Sequence, residues 1–144
     1  MNIEQLITKS KPLSIIGQTD VEINGLEIDS RKILPGKAFV AIRGTQTDGH
    51  NCISKAIELG ATAIVCEQLP SVLSDNVVYI QYQSTEEVVG QLATNFYGNP
   101  TSKIKLVGVT GTNGKTTIAT LLYQIFRRLG YKCGLCSTVC NYID

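Results

Sequence analysis

Apolar positions recur along the chain with two periods, and the switches between them mark its elements. Ile3, Leu6 and Ile7 follow Asn2 at helical spacing, so a short helix capped by Asn2 is expected, ended ahead of Pro12, which keeps Lys11 out of helical geometry. Val21 and Ile23, then Leu26 and Ile28, alternate with polar residues, and Asn24-Gly25 between them predicts a hairpin. Pro35-Gly36 marks a turn before Ala38-Phe39-Val40-Ala41-Ile42, an uninterrupted apolar run that reads as a central strand. Residues 61–66 and 77–80 are two further strands, joined by a loop that contains Pro70. Between strands the pattern turns helical. Asp48 caps a helix with Ile53, Ala56 and Ile57 inward and Gly60 as its stop, and His50 in its first turn reads as a surface residue. Ser84 and Glu87 form a capping box ahead of Val88, Val89, Leu92, Ala93 and Phe96 on one face.

Gly98-Asn99-Pro100 breaks that helix and predicts a boundary: residues 1–98 as a small α/β domain, residues 99–144 as the start of a second. The second opens on the apolar run from Ile104 to Val109, a predicted strand. Gly108, Gly111 and Gly114 punctuate the turn after it, and Lys115-Thr116-Thr117 begins a helix. Glycines there let backbone N–H groups approach phosphate oxygens, and the helix start adds unpaired donors and the positive end of its dipole. Lys115 contributes a point charge and Thr116 a hydroxyl suited to nucleotide-bound magnesium. The spacing differs from the usual phosphate loop, since Val109 stands where the first glycine would be. Ile118, Leu121, Leu122, Ile125 and Leu129 predict one buried helix face, with Gly130 as its left-handed stop.

Composition narrows the classes. A net charge of +1, with the basic residues scattered, argues against a nucleic-acid partner. No apolar run reaches the roughly 20 residues of a membrane span, and the amino terminus lacks the look of a secretory leader, so a cytoplasmic protein is expected. Among the five cysteines, Cys133, Cys136 and Cys140 have part of a zinc spacing, but a structural site needs a fourth ligand and the only histidine is distant. Their apolar neighbours favour a buried strand over residues 133–139. Ligands of open α/β sheets sit beyond the carboxyl ends of strands, which singles out Asp29-Ser30-Arg31 and the loop Arg43 to Gly49, either as a small-molecule site or as solvated turns. A parallel nucleotide-binding sheet needs several more crossovers of about 30 residues each. The expectation is therefore the front part of a larger enzyme, interrupted inside its second domain.

Asp29-Ser30-Arg31, Pro35-Gly36, Phe39-Val40-Ala41, Asp48-Gly49-His50, Gly60-Ala61 and Gly108 through Thr117 together resemble the start of the Mur ligases, across essentially the whole chain. The phosphate loop of that family also lacks the extra glycine. The resemblance implies a small amino-terminal α/β domain of Mur-ligase type holding the UDP end of the substrate, followed by the truncated start of a P-loop parallel-sheet ATPase domain. It implies an ATP-dependent amide ligase, acting through an acyl phosphate, that adds a diamino acid (meso-diaminopimelate or L-lysine) to UDP-MurNAc-L-Ala-D-Glu in peptidoglycan biosynthesis. Carried over by position, Ile28, Ser30, Thr45, Gln46 and Thr47 meet the uridine end, with Thr45 where many relatives carry histidine. Gly111, Thr112, Asn113, Gly114, Lys115, Thr116 and Thr117 bind ATP, with Lys115 and Thr116 catalytic and Thr116 on magnesium. The resemblance further implies that the intact enzyme is monomeric and that residues 1–144 alone are inactive. A D-Ala-D-Ala-adding member of the family and a non-catalytic UDP-sugar-binding module are the alternatives.

Overall fold

A computed structural model describes residues 1–44 and 47–143. The chain divides into two units, Met1–Lys103 and the residues from Ile104 onward.

The first unit is built on a sheet of five strands: β1 (Ser14–Ile16), β2 (Gly25–Glu27), β3 (Lys37–Val40), β4 (Ala63–Cys66) and β5 (Val78–Gln81), in the order β1-β5-β4-β3-β2. Strands β2 to β5 run parallel, and β1 lies antiparallel to β5 at the edge. Side chains alternate across the sheet, which makes two cores. Ala38, Val40, Ala63, Val65, Val78 and Ile80 face one side, where Ile3 and Leu6 of α1 (Ile3–Leu6) and Leu92 of α3 (Thr85–Phe96) cover them. Phe39, Ile64, Cys66 and Tyr79 face the other, under Ile53 and Ala56 of α2 (Ile53–Glu58). Both faces of the central strands are thus covered, which is why their sequences read as continuous apolar runs. Asn2 caps α1 in a full capping box with Gln5, and Ser84 accepts from Glu87 N–H at 3.3 Å to start α3.

The expected hairpin at Asn24-Gly25 does not form. Gly25 opens β2, which runs parallel to β3, and Val21 and Ile23 lie outside the strands, with Glu22 making only an isolated bridge to Asn2. Contacts distant in sequence override the local turn signal: Asn24 N–H donates to Gly36 O at 2.9 Å and its side-chain amide to Pro35 O at 3.3 Å. At Gly25 a Cβ would stand 2.9 Å from Lys37 Cγ, so glycine there lets the lysine stem cross the strand.

The second unit holds α4 (Lys115–Arg128) and an antiparallel pair, β6 (Gly134–Cys136) and β7 (Asn141–Ile143). Three expectations fail here. Residues 104–110 join no ladder, since no strand among the described residues lies beside them to supply one. Residues 133–139 do not form one buried strand: they turn after Cys136, which is exposed, and Cys133 and Cys140 are only half-buried. The α4 face is not buried either, with Leu121 and Ile125 each 52% exposed, because no layer among the described residues of the unit covers it.

Candidate functional site

The parallel strands of the first unit all end on one edge of the sheet, and the polar candidates gather along it. After β2, Asp29 caps a 3-10 turn (Ser30–Lys32) by accepting from Arg31 N–H, and the Arg31 guanidinium closes a two-pronged ion pair on the same carboxylate at 2.9 and 2.8 Å. These bonds from Arg31, side chain first and backbone second, pull the Asp29 carboxyl down to about 2. Ile28 is exposed and Ser30 half-buried on that turn. Beneath it, Lys37 Nζ bonds Glu27 Oε1 at 2.9 Å and Lys32 O at 3.2 Å, fastening the turn to β2 and β3.

After β3 the chain forms a narrow loop. Arg43 and Asp48 pair as an antiparallel bridge, Gly44 N–H donates to Thr47 O at 3.1 Å and Gly49 N–H to Ile42 O at 2.9 Å. Thr47 is exposed on this loop, while Thr45 and Gln46 lie outside the described residues. The structure corrects the reading of His50 as a surface residue, since its side chain is only 11% exposed. Glu67 N–H donates to His50 Nε2 at 2.9 Å, so the imidazole proton is on Nδ1, which bonds Asp48 Oδ1 at 2.7 Å. Asp48 also accepts His50 N–H at 2.9 Å, and these two bonds, the backbone one foremost, hold its carboxyl below the usual range. Glu67 and Thr85 complete the cluster. Sequence reading missed both, although Glu67 follows an apolar strand at the carboxyl edge, where such a residue can be sought.

The second unit presents the glycine loop by itself. Gly111 and Gly114 take positive φ, +143° and +78°, which admit glycine and strain other residues. Gly114 is the N-cap of α4 and no side chain caps the helix, so the first-turn N–H groups are not taken by a capping side chain. Lys115 is exposed and its ammonium folds back onto Gly111 O and, at 3.3 Å, Thr112 O. Among the described residues it forms no interior ion pair. Thr112, Asn113 and Thr117 are exposed, and Thr116 is half-buried. Around Gly108 and Gly114 nothing lies within 4 Å of where a Cβ would be. An open, cation-bearing loop at an uncapped helix start fits a phosphate group chemically, and the Thr116 hydroxyl is a suitable oxygen donor for magnesium.

Residues 22–97 match the Mur ligase family, catalytic domain, and residues 109–144 the Mur ligase middle domain. The chain belongs to the Mur ligase family. It is 62% identical, over all 144 of its residues, to UDP-N-acetylmuramoyl-L-alanyl-D-glutamate–2,6-diaminopimelate ligase of Phocaeicola vulgatus. Among solved structures, it resembles a UDP-N-acetylmuramoyl-L-alanyl-D-glutamate–2,6-diaminopimelate ligase with a TM-score of 0.72 and 25% identity, over 99% of this chain and 28% of that one. It also resembles the MurF ligase of Thermotoga maritima in complex with ADP, with a TM-score of 0.55 and 31% identity, over 77% of this chain and 25% of that one. The chain spans about 30% of the length of the curated relatives it matches.

Proposed function

We propose that this chain is the amino-terminal part of a cytoplasmic, monomeric ATP-dependent ligase that joins 2,6-diaminopimelate to UDP-MurNAc-L-Ala-D-Glu in peptidoglycan biosynthesis. The observation that carries the reading is the 62% identity, across every residue, to a ligase named for that reaction. The first unit takes the uridine diphosphate end, with Ile28, Ser30, Thr45, Gln46 and Thr47 as its contacts. Ile28 and Ser30 follow β2 and Thr47 follows β3, all beyond the carboxyl ends of those strands, which supports this. Residues Gly111 through Thr117 are the start of a P-loop ATPase domain and take the phosphates of ATP. The ADP bound by the Thermotoga maritima relative supports a nucleotide for this family.

The chemistry asks these residues to bring two anions together. The terminal glutamate carboxylate of the substrate attacks the γ-phosphorus, the bond to ADP breaks, and the amine of the diamino acid then displaces phosphate from the acyl phosphate. Lys115 and the first-turn N–H groups of α4 lower the repulsion between carboxylate and phosphate and align the phosphate for in-line transfer. To do so, Lys115 exchanges its bonds to Gly111 O and Thr112 O for phosphate oxygens. Magnesium, held with ATP at the Thr116 hydroxyl, supplies further positive charge there. Separate calorimetric titrations of the chain test both subsites: UDP-MurNAc-L-Ala-D-Glu is expected to bind the unsubstituted chain, and ATP to lose about 10- to 100-fold in affinity on Lys115→Ala, the worth of a hydrogen bond to a charged group. Saturable ATP binding that ignores Lys115→Ala contradicts the loop assignment.

A further inference from the structure

Glu67 follows β4 directly and commits every polar group it has. Its N–H donates to His50 Nε2 at 2.9 Å and its C=O accepts from Gln81 Nε2 at 3.0 Å. Carboxylate Oε1 accepts from Thr85 N–H at 3.1 Å and lies 3.3 Å from Thr85 Oγ1, and Oε2 pairs with Arg43 Nε at 3.0 Å. The side chain is 15% exposed, so these bonds form where water competes weakly. Thr85 is itself fully buried and donates to Ala41 O at 2.7 Å, which makes the far side of the cluster rigid.

The two stems of the loop after β3 meet at Arg43 and Asp48. Glu67 grips the first through its carboxylate and the second through His50. We propose that Glu67 is a positioning residue for the uridine-nucleotide subsite, one that fixes Arg43 and Asp48, and with them the adjoining Thr47, against the end of the sheet. This rests on the reading of the first unit as the uridine diphosphate site. Glutamine cannot replace it: with the amide oxygen toward Thr85 N–H, the NH2 group faces Arg43 Nε, donor against donor. The Arg43 side chain then loses its tie to the end of β4, while the Arg43–Asp48 bridge and the backbone bond to His50 remain.

The test is titration of UDP into the unsubstituted chain, Glu67→Gln, Arg43→Gln and the double variant. If Arg43 and Thr47, without that tie, spend a tenth of their time in the binding arrangement, affinity falls about tenfold. Each single variant is expected to show that loss, and the double variant no more than either, because both cut the same tie. His50 is the chain's only histidine, so its imidazole nitrogen resonances give an unambiguous reporter of the fold. The Nδ1-protonated form should persist in Glu67→Gln. Where Glu67→Gln loses that signal, Arg43→Gln decides, since Arg43 is half-exposed and its replacement leaves the sheet intact. Affinity unchanged in Arg43→Gln, or in a folded Glu67→Gln, overturns the positioning role alone. Absence of UDP binding by the unsubstituted chain overturns the nucleotide-site reading and, with it, this proposal.

Discussion

At Asp29 and Cys66 the same physics acts in opposite directions. The Asp29 carboxyl lies near 2 rather than 3.8 because Arg31 donates to it three times, so its charged form favours the folded chain. That contribution is present above pH 3.8, where the unfolded carboxyl is already ionised, and is lost as pH falls toward 2. A carbon-13 titration should place the Asp29 midpoint near 2, and Arg31→Gln should return it toward 3.8. Burial pushes the Cys66 thiol from 9.0 to about 11, so folding favours its neutral form. That stabilisation is present below pH 9 and is lost between 9 and about 11. Alkylation at pH 8 followed by peptide mapping should therefore modify exposed Cys136 and spare Cys66. The Asp48-to-His50 cap was legible in the sequence as a local spacing. Glu67 was not, because its four partners arrive from two distant stretches, 43–50 and 81–85, and no local pattern announces such a meeting.

Elements were legible where local pattern and tertiary burial agree. Runs covered on both faces gave β3, β4 and β5 within two residues, and the caps at Asn2 and Ser84 located α1 and α3. Helix α3 owes its place to one apolar stripe, and Leu92 on it is fully buried against the sheet. Replacing Leu92 with alanine should cost about 2–5 kcal/mol in denaturant unfolding, a deletion that also leaves a cavity. The same helix is tied at its far end by Asn95, which donates to Leu6 O at 2.7 Å and Thr8 O at 2.6 Å, a link no periodicity reveals. The hairpin at Asn24-Gly25 misled because a short-range turn preference lost to hydrogen bonds made with Pro35 and Gly36. In the second unit the helical period of α4 was read rightly, but its burial was not, since burial depends on layers the described residues do not include.

On the scale of the whole chain, the proposed function gives the two units two different recognition tasks. The first folds around its own two cores, so Lys115→Ala, on an exposed residue of the second, should leave the unfolding midpoint unchanged while weakening ATP binding. A chain with about 30% of its relatives' length is expected to release no phosphate from ATP by itself when given both other substrates. Membership of the family, in contrast, was legible early, because the glycine loop and the Asp29 and Asp48 turns are short local motifs. The most direct test of the ligase assignment is mass spectrometry of the product made by a protein of the relatives' full length that carries this chain. Given ATP, magnesium, UDP-MurNAc-L-Ala-D-Glu and 2,6-diaminopimelate, it should yield the substrate plus one diaminopimelate less one water, with one phosphate released per product. Release of phosphate without that product, or joining of D-Ala-D-Ala in place of the diamino acid, would contradict the assignment.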